Sequence, residues 1–462
     1  MKTATLKITL SLLCTSSLSV SLFAAETLGT VDKIVIHDEY SYQTVVHEDE
    51  EEEGFEVAND WRVNGDLRMG YVYYDYSNPP LSPEYDPSIN KGHKNSKGFY
   101  VIPKVSLNTP TYNGFLAKIT AAGVTDFGIN DSSYESRTFA FGPSGGSYSI
   151  LQEAYVEYVN DGHTVVAGAK EIVTPMVDAD DWYLLANSFQ TVYYRNTVLE
   201  NITFAGGYIH KMAGVWDSGG DGTKYESMSA ASVVSEEHKE HVGDKGMWTG
   251  AFQYSDGTHH FQLWDYYAID LYNIFFTQYD YTSEYKEMSY DAGVRFTDYQ
   301  DVGSNTFTPI DYHVLSLRFD AQFNDGLTFS TGVAFHSDGP GAQSSLSAWG
   351  GSPSFARGMI FSYAEAGDMR NINSYKAELG YNFKKEGLDG LWAGARYTYF
   401  DLDPEYSRSS FNGLGQDYQK TYGLRITYND ESGLYFTGTY EYADLDQQDD
   451  ISGFRLIGGY KF

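Results

Sequence analysis

The stretch that decides the fold is ISGFRLIGGYKF, residues 451–462. Apolar side chains recur at every second position, so Phe454, Leu456, Tyr460 and Phe462 share one face of an extended strand. The other face carries Arg455. The last residues of a soluble domain are usually polar and frayed. We therefore predict a terminal strand that is hydrogen-bonded on both edges inside a larger sheet.

The first residues predict export. Residues 1–25 hold two lysines, an apolar stretch and an Ala-Ala pair, which is typical of a cleaved secretory signal. Residues 26–60 include an unbroken acidic run and predict a flexible periplasmic leader. The single cysteine, Cys14, lies in the signal, so no disulfide framework is expected. Residues 61–462 then form the functional domain.

Composition favours a membrane barrel over a soluble β-protein. The chain has 41 Tyr, 27 Phe and 46 Gly but only 12 Pro, and no stretch of the sequence has the apolar run of a transmembrane helix. A barrel needs this mixture, because aromatic girdles flank an apolar outer band while the lumen stays polar. The formal net charge of −32 would repel phosphate backbones, so no nucleic-acid partner is expected.

The pattern of connections predicts how the strands are arranged. Short turns such as NDG (324–326) alternate with long polar segments. The long segments lie at roughly 77–97, 129–148, 173–189, 213–246, 301–311, 338–372 and 402–416. A transmembrane barrel has short periplasmic turns at one end and long extracellular loops at the other. We predict an all-β antiparallel barrel of about 18 strands, closed by pairing of the last strand with the strand near residues 61–76.

Alternation also sorts the charged side chains of the predicted wall. An arginine facing lipid at mid-membrane costs about 2–4 kcal/mol, so arginines opposite the apolar row are assigned to the lumen. In residues 391–401, Arg396 lies opposite the row that holds Ala395 and Tyr397. The predicted lumenal basic column consists of Arg68, Arg295, Arg318, Arg396, Arg425 and Arg455.

A plainer interpretation of these arginines is also open. Rings of charge line most pores whatever they pass. The inward arginines would then only keep the lumen wet and pair with inward acids, of which the pattern gives Asp66, Asp291, Asp320 and Glu378.

Residues 151–189 resemble the third-loop region of the OprD-type porins, an 18-stranded outer-membrane family. The matching features are Glu153-Ala154-Tyr155, Ala167-Gly168, Pro175 and the acids Asp178, Asp180 and Asp181. Two further segments are similar to the family: GLDGLWAGARYTY (387–399) to a strand start, and WGGSPSF (349–355) to a seventh-loop segment. The chain departs from the family pattern at Tyr183, Ala186 and Asp389.

The resemblance implies a function for both sets of charges. In that family, lumenal arginines draw carboxylate solutes past a constriction made by the third loop. Asp178, Asp180 and Asp181 would then form a constriction loop that faces the arginine column, and the opposed charges would orient dipolar solutes. If this loop folds outward instead, the three acids are ordinary solvated side chains.

The most direct functional hypothesis is a porin for passive diffusion of small hydrophilic solutes or ions, including carboxylate-bearing nutrients. One alternative is a sugar channel, which would need aromatic side chains on inward positions; the aromatic residues are assigned mostly outward, with Trp248, Trp264 and Trp392 as interfacial anchors. The other alternative is a secreted soluble β-rich enzyme or adhesin. No catalytic, cofactor or metal motif is found, so no enzyme and no cofactor are predicted.

The predicted location and partners follow from the same features. The expected location is the bacterial outer membrane. The expected partners are outer-membrane lipid, lipopolysaccharide, the barrel-assembly machinery that reads a terminal Phe strand, and small hydrophilic solutes. The protein is expected to be a monomer or a homotrimer.

Overall fold

The computed structural model describes residues 60–76, 95–130, 140–141, 146–214, 222–232, 242–303, 309–340, 349–361, 370–407, 415–446 and 450–462. The predicted signal (1–25) and nearly all of the predicted leader (26–60) lie outside these ranges. Among the described residues, no helix is long and apolar enough to cross a bilayer.

Nineteen strands within the described ranges form one antiparallel sheet. Their bounds are β1 Arg62–Tyr76, β2 Asn95–Asn108, β3 Phe115–Val124, β4 Tyr148–Asn160, β5 His163–Lys170, β6 Ser188–Asn196, β7 Ile202–Ala213, β8 Glu226–Ser227, β9 Met247–Ser255, β10 His259–Ala268, β11 Tyr272–Tyr285, β12 Met288–Asp301, β13 Asp311–Phe323, β14 Leu327–His336, β15 Asn373–Asn382, β16 Leu391–Asp401, β17 Tyr418–Asn429, β18 Leu434–Leu445 and β19 Ile451–Lys461. A four-residue helix, Met228–Ala231, follows β8, and a 3-10 turn, Phe383–Glu386, follows β15.

The sheet closes on itself. Each wall strand pairs with the next along the chain, and β19 pairs with β1 from Asp66↔Lys461 to Tyr76↔Ile451. The backbones of Gly65 and Phe462 extend this ladder with two hydrogen bonds of 2.7 and 2.9 Å. The two-residue β8 is an addition to the edge of β7, so the wall has 18 strands and the predicted fold is confirmed.

The two faces of the wall differ as the alternation predicts. Leu424 and Leu456 are 59% and 37% exposed on the outer face, whereas Arg455 and Glu441 are 1% and 0% exposed on the inner face. Apolar side chains outside and polar ones inside make this a transmembrane barrel of the outer-membrane type.

Long and short connections lie at opposite ends of the barrel. The β4–β5 turn is only Asp161 and Gly162, both with positive φ (45° and 76°), as a tight hairpin turn requires. The long connections include residues 77–94, 125–147, 171–187, 214–246 and 337–372. Two connections at the long end are short, residues 269–271 and 446–450. Counting along the chain, residues 171–187 are the third connection at this end and residues 337–372 the seventh; we call them loop 3 and loop 7.

The lumen as candidate functional site

Loop 3 lies inside the barrel. It begins where β5 stops at Lys170, and Pro175 stands in a tight turn in which Thr174 N donates to Val177 O at 2.8 Å. Val177, Asp178 and Leu184 are at most 1% exposed. A buried loop with this many backbone groups needs partners from its surroundings, and the inner wall and loop 7 supply them.

Two arginines of the inner wall hold loop 3. Arg68 on β1 makes a 2.5 Å ion pair with Asp181 and donates to Leu184 O at 3.1 Å. Arg455 on β19 stacks over the Trp182 ring at 3.5 Å and donates to Trp182 O. In the register of β1 with β19, Arg68 is opposite Gly459 and Arg455 is opposite Val72. The two arginines therefore lie on neighbouring strands, four positions apart along them.

The described part of loop 7, residues 349–361, also lies in the lumen and contacts the wall from β11 to β1. Val177 and Gly350 form an isolated antiparallel bridge, and Asp178 N donates to Trp349 O at 2.8 Å. Loops 3 and 7 therefore contact each other in the lumen. Trp349 is 1% exposed and stacks on Tyr272 of β11.

Arginines on β12 and β13 bind loop 7. Arg295 donates from Nη1 to Ser352 O at 2.8 Å, and its guanidinium lies 3.9 Å from the centre of the Phe355 ring. The guanidinium of Arg318 lies 4.9 Å from the same ring. Phe355 N donates to Ser316 Oγ on the wall at 2.9 Å. This side of the basic column is thus covered by the loop.

Glu441 on β18 is the principal acceptor for the end of this segment. Its carboxylate accepts three consecutive backbone N–H groups, from Met359 at 2.7 Å, Ile360 at 2.6 Å and Phe361 at 2.7 Å. Successive N–H groups that converge on one anion form a nest, and bonds to a charged acceptor are among the strong ones. The sequence analysis missed Glu441. From sequence alone, an inward glutamate of a barrel strand cannot be told apart from any other polar side chain that faces the water of a lumen.

The remaining arginines of the column also face oxygen atoms. Arg396 makes a 2.6 Å ion pair with Glu378 and donates to Arg357 O at 3.4 Å. Arg425 Nε donates to Thr439 Oγ1 at 3.3 Å. All six predicted arginines therefore point into the lumen, and each contributes a hydrogen bond there.

Some inward acids pair with arginines, as the plainer interpretation expects. Arg318 bonds to Asp280 and Asp291 at 2.7 Å each, with Asp320 at 3.7 Å. Asp66, in contrast, accepts from Tyr435 at 2.9 Å. Both interpretations of the arginines thus keep some structural support, since the same side chains bind wall acids and loop oxygens.

The three acids of loop 3 have different surroundings. Asp181 pairs with Arg68. One oxygen of the Asp180 carboxyl accepts the backbone N–H of Trp182 at 2.9 Å, and the other has no hydrogen-bond partner among the described residues. Burial raises the pKa of Asp180 well above its ordinary value, and the neighbouring carboxylates of Asp181 and Asp178 raise it further. The negative charge of loop 3 is therefore unevenly spread over the acids named from the sequence.

Two tryptophans correct the sequence analysis. Trp264 and Trp392 were predicted to be interfacial anchors but are 3% and 4% exposed on the inner face, while Trp248 is 56% exposed. Trp392 and the inward Arg396 are separated by an even number of positions in β16, so both side chains lie on the inner face. Trp264 stacks on Tyr266 with ring centres 5.8 Å apart. Aromatic side chains on inward positions, which the sequence analysis assigned mostly outward, are thus present.

Solved structures share this architecture, whereas no protein-family model and no curated protein sequence matches the chain. The chain is similar to a BenF-like porin from Pseudomonas fluorescens Pf-5 (TM-score 0.70, 16% identity), covering 88% of this chain and 99% of that one. It is similar to Pseudomonas aeruginosa OccK8 (OprE), with TM-score 0.68 and 15% identity over the same shares. Pseudomonas aeruginosa OpdK with vanillate gives 0.66 and 14%, again over 88% and 99%. The chain therefore has the 18-stranded barrel fold of the OprD/Occ-type outer-membrane porins.

Proposed function

We propose that this protein is an outer-membrane porin for passive diffusion of small hydrophilic solutes, with a preference for those that carry a carboxylate. Solutes would pass along the part of the lumen that loops 3 and 7 leave open, and loop 3 would form the constriction. The six arginines would line the solute path, and Asp178, Asp180 and Asp181 would be the acidic residues of the constriction.

The observation that carries the proposal is the chemistry of the inner wall. Arg68, Arg318 and Arg396 each bind a carboxylate of the protein itself at 2.5 to 2.7 Å. A guanidinium fork suits a carboxylate better than an ammonium does, and it keeps its charge at every physiological pH. A solute carboxylate could exchange with these internal partners along the wall. The OpdK structure holds vanillate, which carries a carboxylate, and this supports the same solute class here.

The test uses Arg396→Gln with Arg425→Gln. Uptake of a carboxylate solute into liposomes should fall, while a neutral solute of equal size should pass nearly unchanged. The difference should shrink above ~0.15 M salt, where the Debye length is about 8 Å.

The matched control is Arg396→Lys with Arg425→Lys, which keeps the charge but removes the planar fork. It should lie between wild type and the Gln variant. Equal slowing of charged and neutral solutes by the Gln variant would mean that the arginines affect only pore width, and the preference for carboxylates would be refuted.

A sugar channel is the second candidate, because Trp264 and Tyr266 stack on the inner face. It ranks second since both rings are buried and Tyr266 Oη already accepts from Met176 N of loop 3, at 3.4 Å. The predicted signal, the periplasmic leader, contact with lipopolysaccharide and the barrel-assembly machinery, and a monomeric or trimeric state stay predictions.

A further inference from the structure

The barrel wall has a gap where β5 ends. The register pairs Ala154 on β4 with Ala169 on β5, and Lys170 on β5 with Phe189 on β6. Beyond this point the chain enters the lumen as loop 3, so no strand among the described residues pairs with residues 148–153 of β4 on that side. The backbone carbonyls on that side need donors from elsewhere.

Tyr225 of the fourth long connection closes this gap. Its hydroxyl lies 2.6 Å from Gln152 O and 3.3 Å from Leu151 O of β4, and 2.8 Å from Ser188 Oγ of β6. This connection is attached to the wall because β8 pairs with β7 at Lys211↔Ser227. Residues just before β8 therefore lie over the outer end of the wall.

A cavity of about 770 Å³ lies beneath this segment, within the usual range for a site that binds one small molecule. Its wall includes Leu151 and Val192, which are 50% and 58% exposed, and Ala154, which is on the same face as the exposed Val156. Exposed apolar residues of the wall are the surface that the membrane covers. The cavity is thus continuous with the lipid-facing band.

The rim of the cavity carries a cation. Lys224 lines it, and its side chain is 60% exposed while that of its ion-pair partner, Glu226 at 3.1 Å, is 10% exposed. His210 also lines the cavity and stacks on Tyr208. A lysine at the edge of an apolar surface keeps its head in the polar layer, where lipid phosphates lie.

We propose that this cavity binds one acyl chain of a phosphate-bearing lipid of the surrounding membrane, with the phosphate near Lys224. The occupant is a bilayer lipid and not a fatty acid in transit, because the cavity opens on the lipid-facing wall and the hydrogen bonds of Tyr225 close the gap toward the lumen. The inference rests on the barrel fold and is independent of the proposed solute preference.

The test is native mass spectrometry of the full chain in detergent, titrated with palmitoyl-oleoyl phosphatidylglycerol. Wild type should retain one lipid, and Ala154→Phe, which fills the cavity, should bind it about tenfold more weakly. The matched control is Ala395→Phe on the exposed outer face of β16, which should bind as wild type does. Retained heat-modifiable gel mobility shows that each variant is folded.

Further arms separate the occupants. Lys224→Gln should weaken phosphatidylglycerol binding and leave uncharged dioleoylglycerol unaffected. Equal lipid retention by wild type and Ala154→Phe would overturn the proposal. It would also be overturned if free palmitate bound as tightly as the phospholipid, or if the wild-type chain were an oligomer that Ala154→Phe dissociates, because the cavity would then serve a transported fatty acid or a second copy of the chain.

Discussion

At the residue scale, Asp180 is a carboxyl whose burial its sequence pattern does not show. It stands between Asp178 and Asp181 in a buried loop, and the Arg357 guanidinium only partly offsets the effect of these neighbours on its pKa. A carboxyl with a raised folded-state pKa favours the inward loop while it is protonated. That contribution is fully present below the ordinary pKa of about 3.9 and is lost as pH rises through the folded-state value.

The first prediction follows from the raised pKa of Asp180. Raising the pH through the folded-state pKa of Asp180 should loosen loop 3, because Asp180 acquires a charge beside Asp178 and Asp181. Single-channel recordings should show more frequent current fluctuations at the higher pH, and Asp180→Asn should remove most of that pH dependence. A pH profile that is the same in the variant and in wild type would assign the fluctuations to another group.

At the scale of elements, Glu441 binds loop 7 to the barrel wall. Its carboxylate accepts three N–H groups from residues 359–361 in a fully buried place. Glu441→Gln should weaken the binding of loop 7 to the wall by about 2 kcal/mol. A neutral amide oxygen accepts hydrogen bonds less strongly than a carboxylate, and the amide N–H₂ would face the three backbone donors.

This change in free energy corresponds to a change on the order of thirtyfold in the ratio of wall-bound to released loop 7. The variant should therefore show a larger mean conductance in planar bilayers. Glu284→Gln, at an exposed position near the short-turn end of β11, is the matched control and should conduct as wild type does. Unchanged conductance in Glu441→Gln would show that loop 7 stays in place without this carboxylate.

The elements also show what the sequence can and cannot predict. Strand alternation has period two, so Leu424 and Arg425 were assigned to opposite faces from sequence alone and lie there. The contacts that hold the loops could not be predicted, because Arg68 and Asp181 are 113 positions apart in the sequence and meet only when the loop folds into the lumen. The same holds for Glu441 and Phe361, 80 positions apart. Trp264 was predicted to lie at the membrane interface because tryptophan is common there. Its even-numbered position in β10, shared with the buried Tyr266, instead places it on the inner face.

At the scale of the whole molecule, we expect closure of the barrel to depend on Phe462. Phe462 exchanges two backbone hydrogen bonds with Gly65, and its ring lies directly over that glycine, where a Cβ would sit 2.2 Å from Phe462 Cζ. Deletion of Phe462 should lower the yield of folded barrel and leave the conductance of the channels that do assemble unchanged. Heat-modifiable gel mobility measures the yield, and a normal yield would show that closure does not need this residue.

The central claim is that loops 3 and 7 lie in the lumen and that the charges of loop 3 face the arginine column where ions pass. The most direct test is the reversal potential of single channels in a salt gradient, for wild type and for Asp178→Asn with Asp180→Asn and Asp181→Asn. Removing these acids leaves the positive charges of Arg68 and Arg455, which contact loop 3, without the opposing charges of these three residues. The account therefore predicts a shift of selectivity toward anions. A reversal potential identical to that of wild type would contradict it, because loop 3 would then lie outside the conducting path.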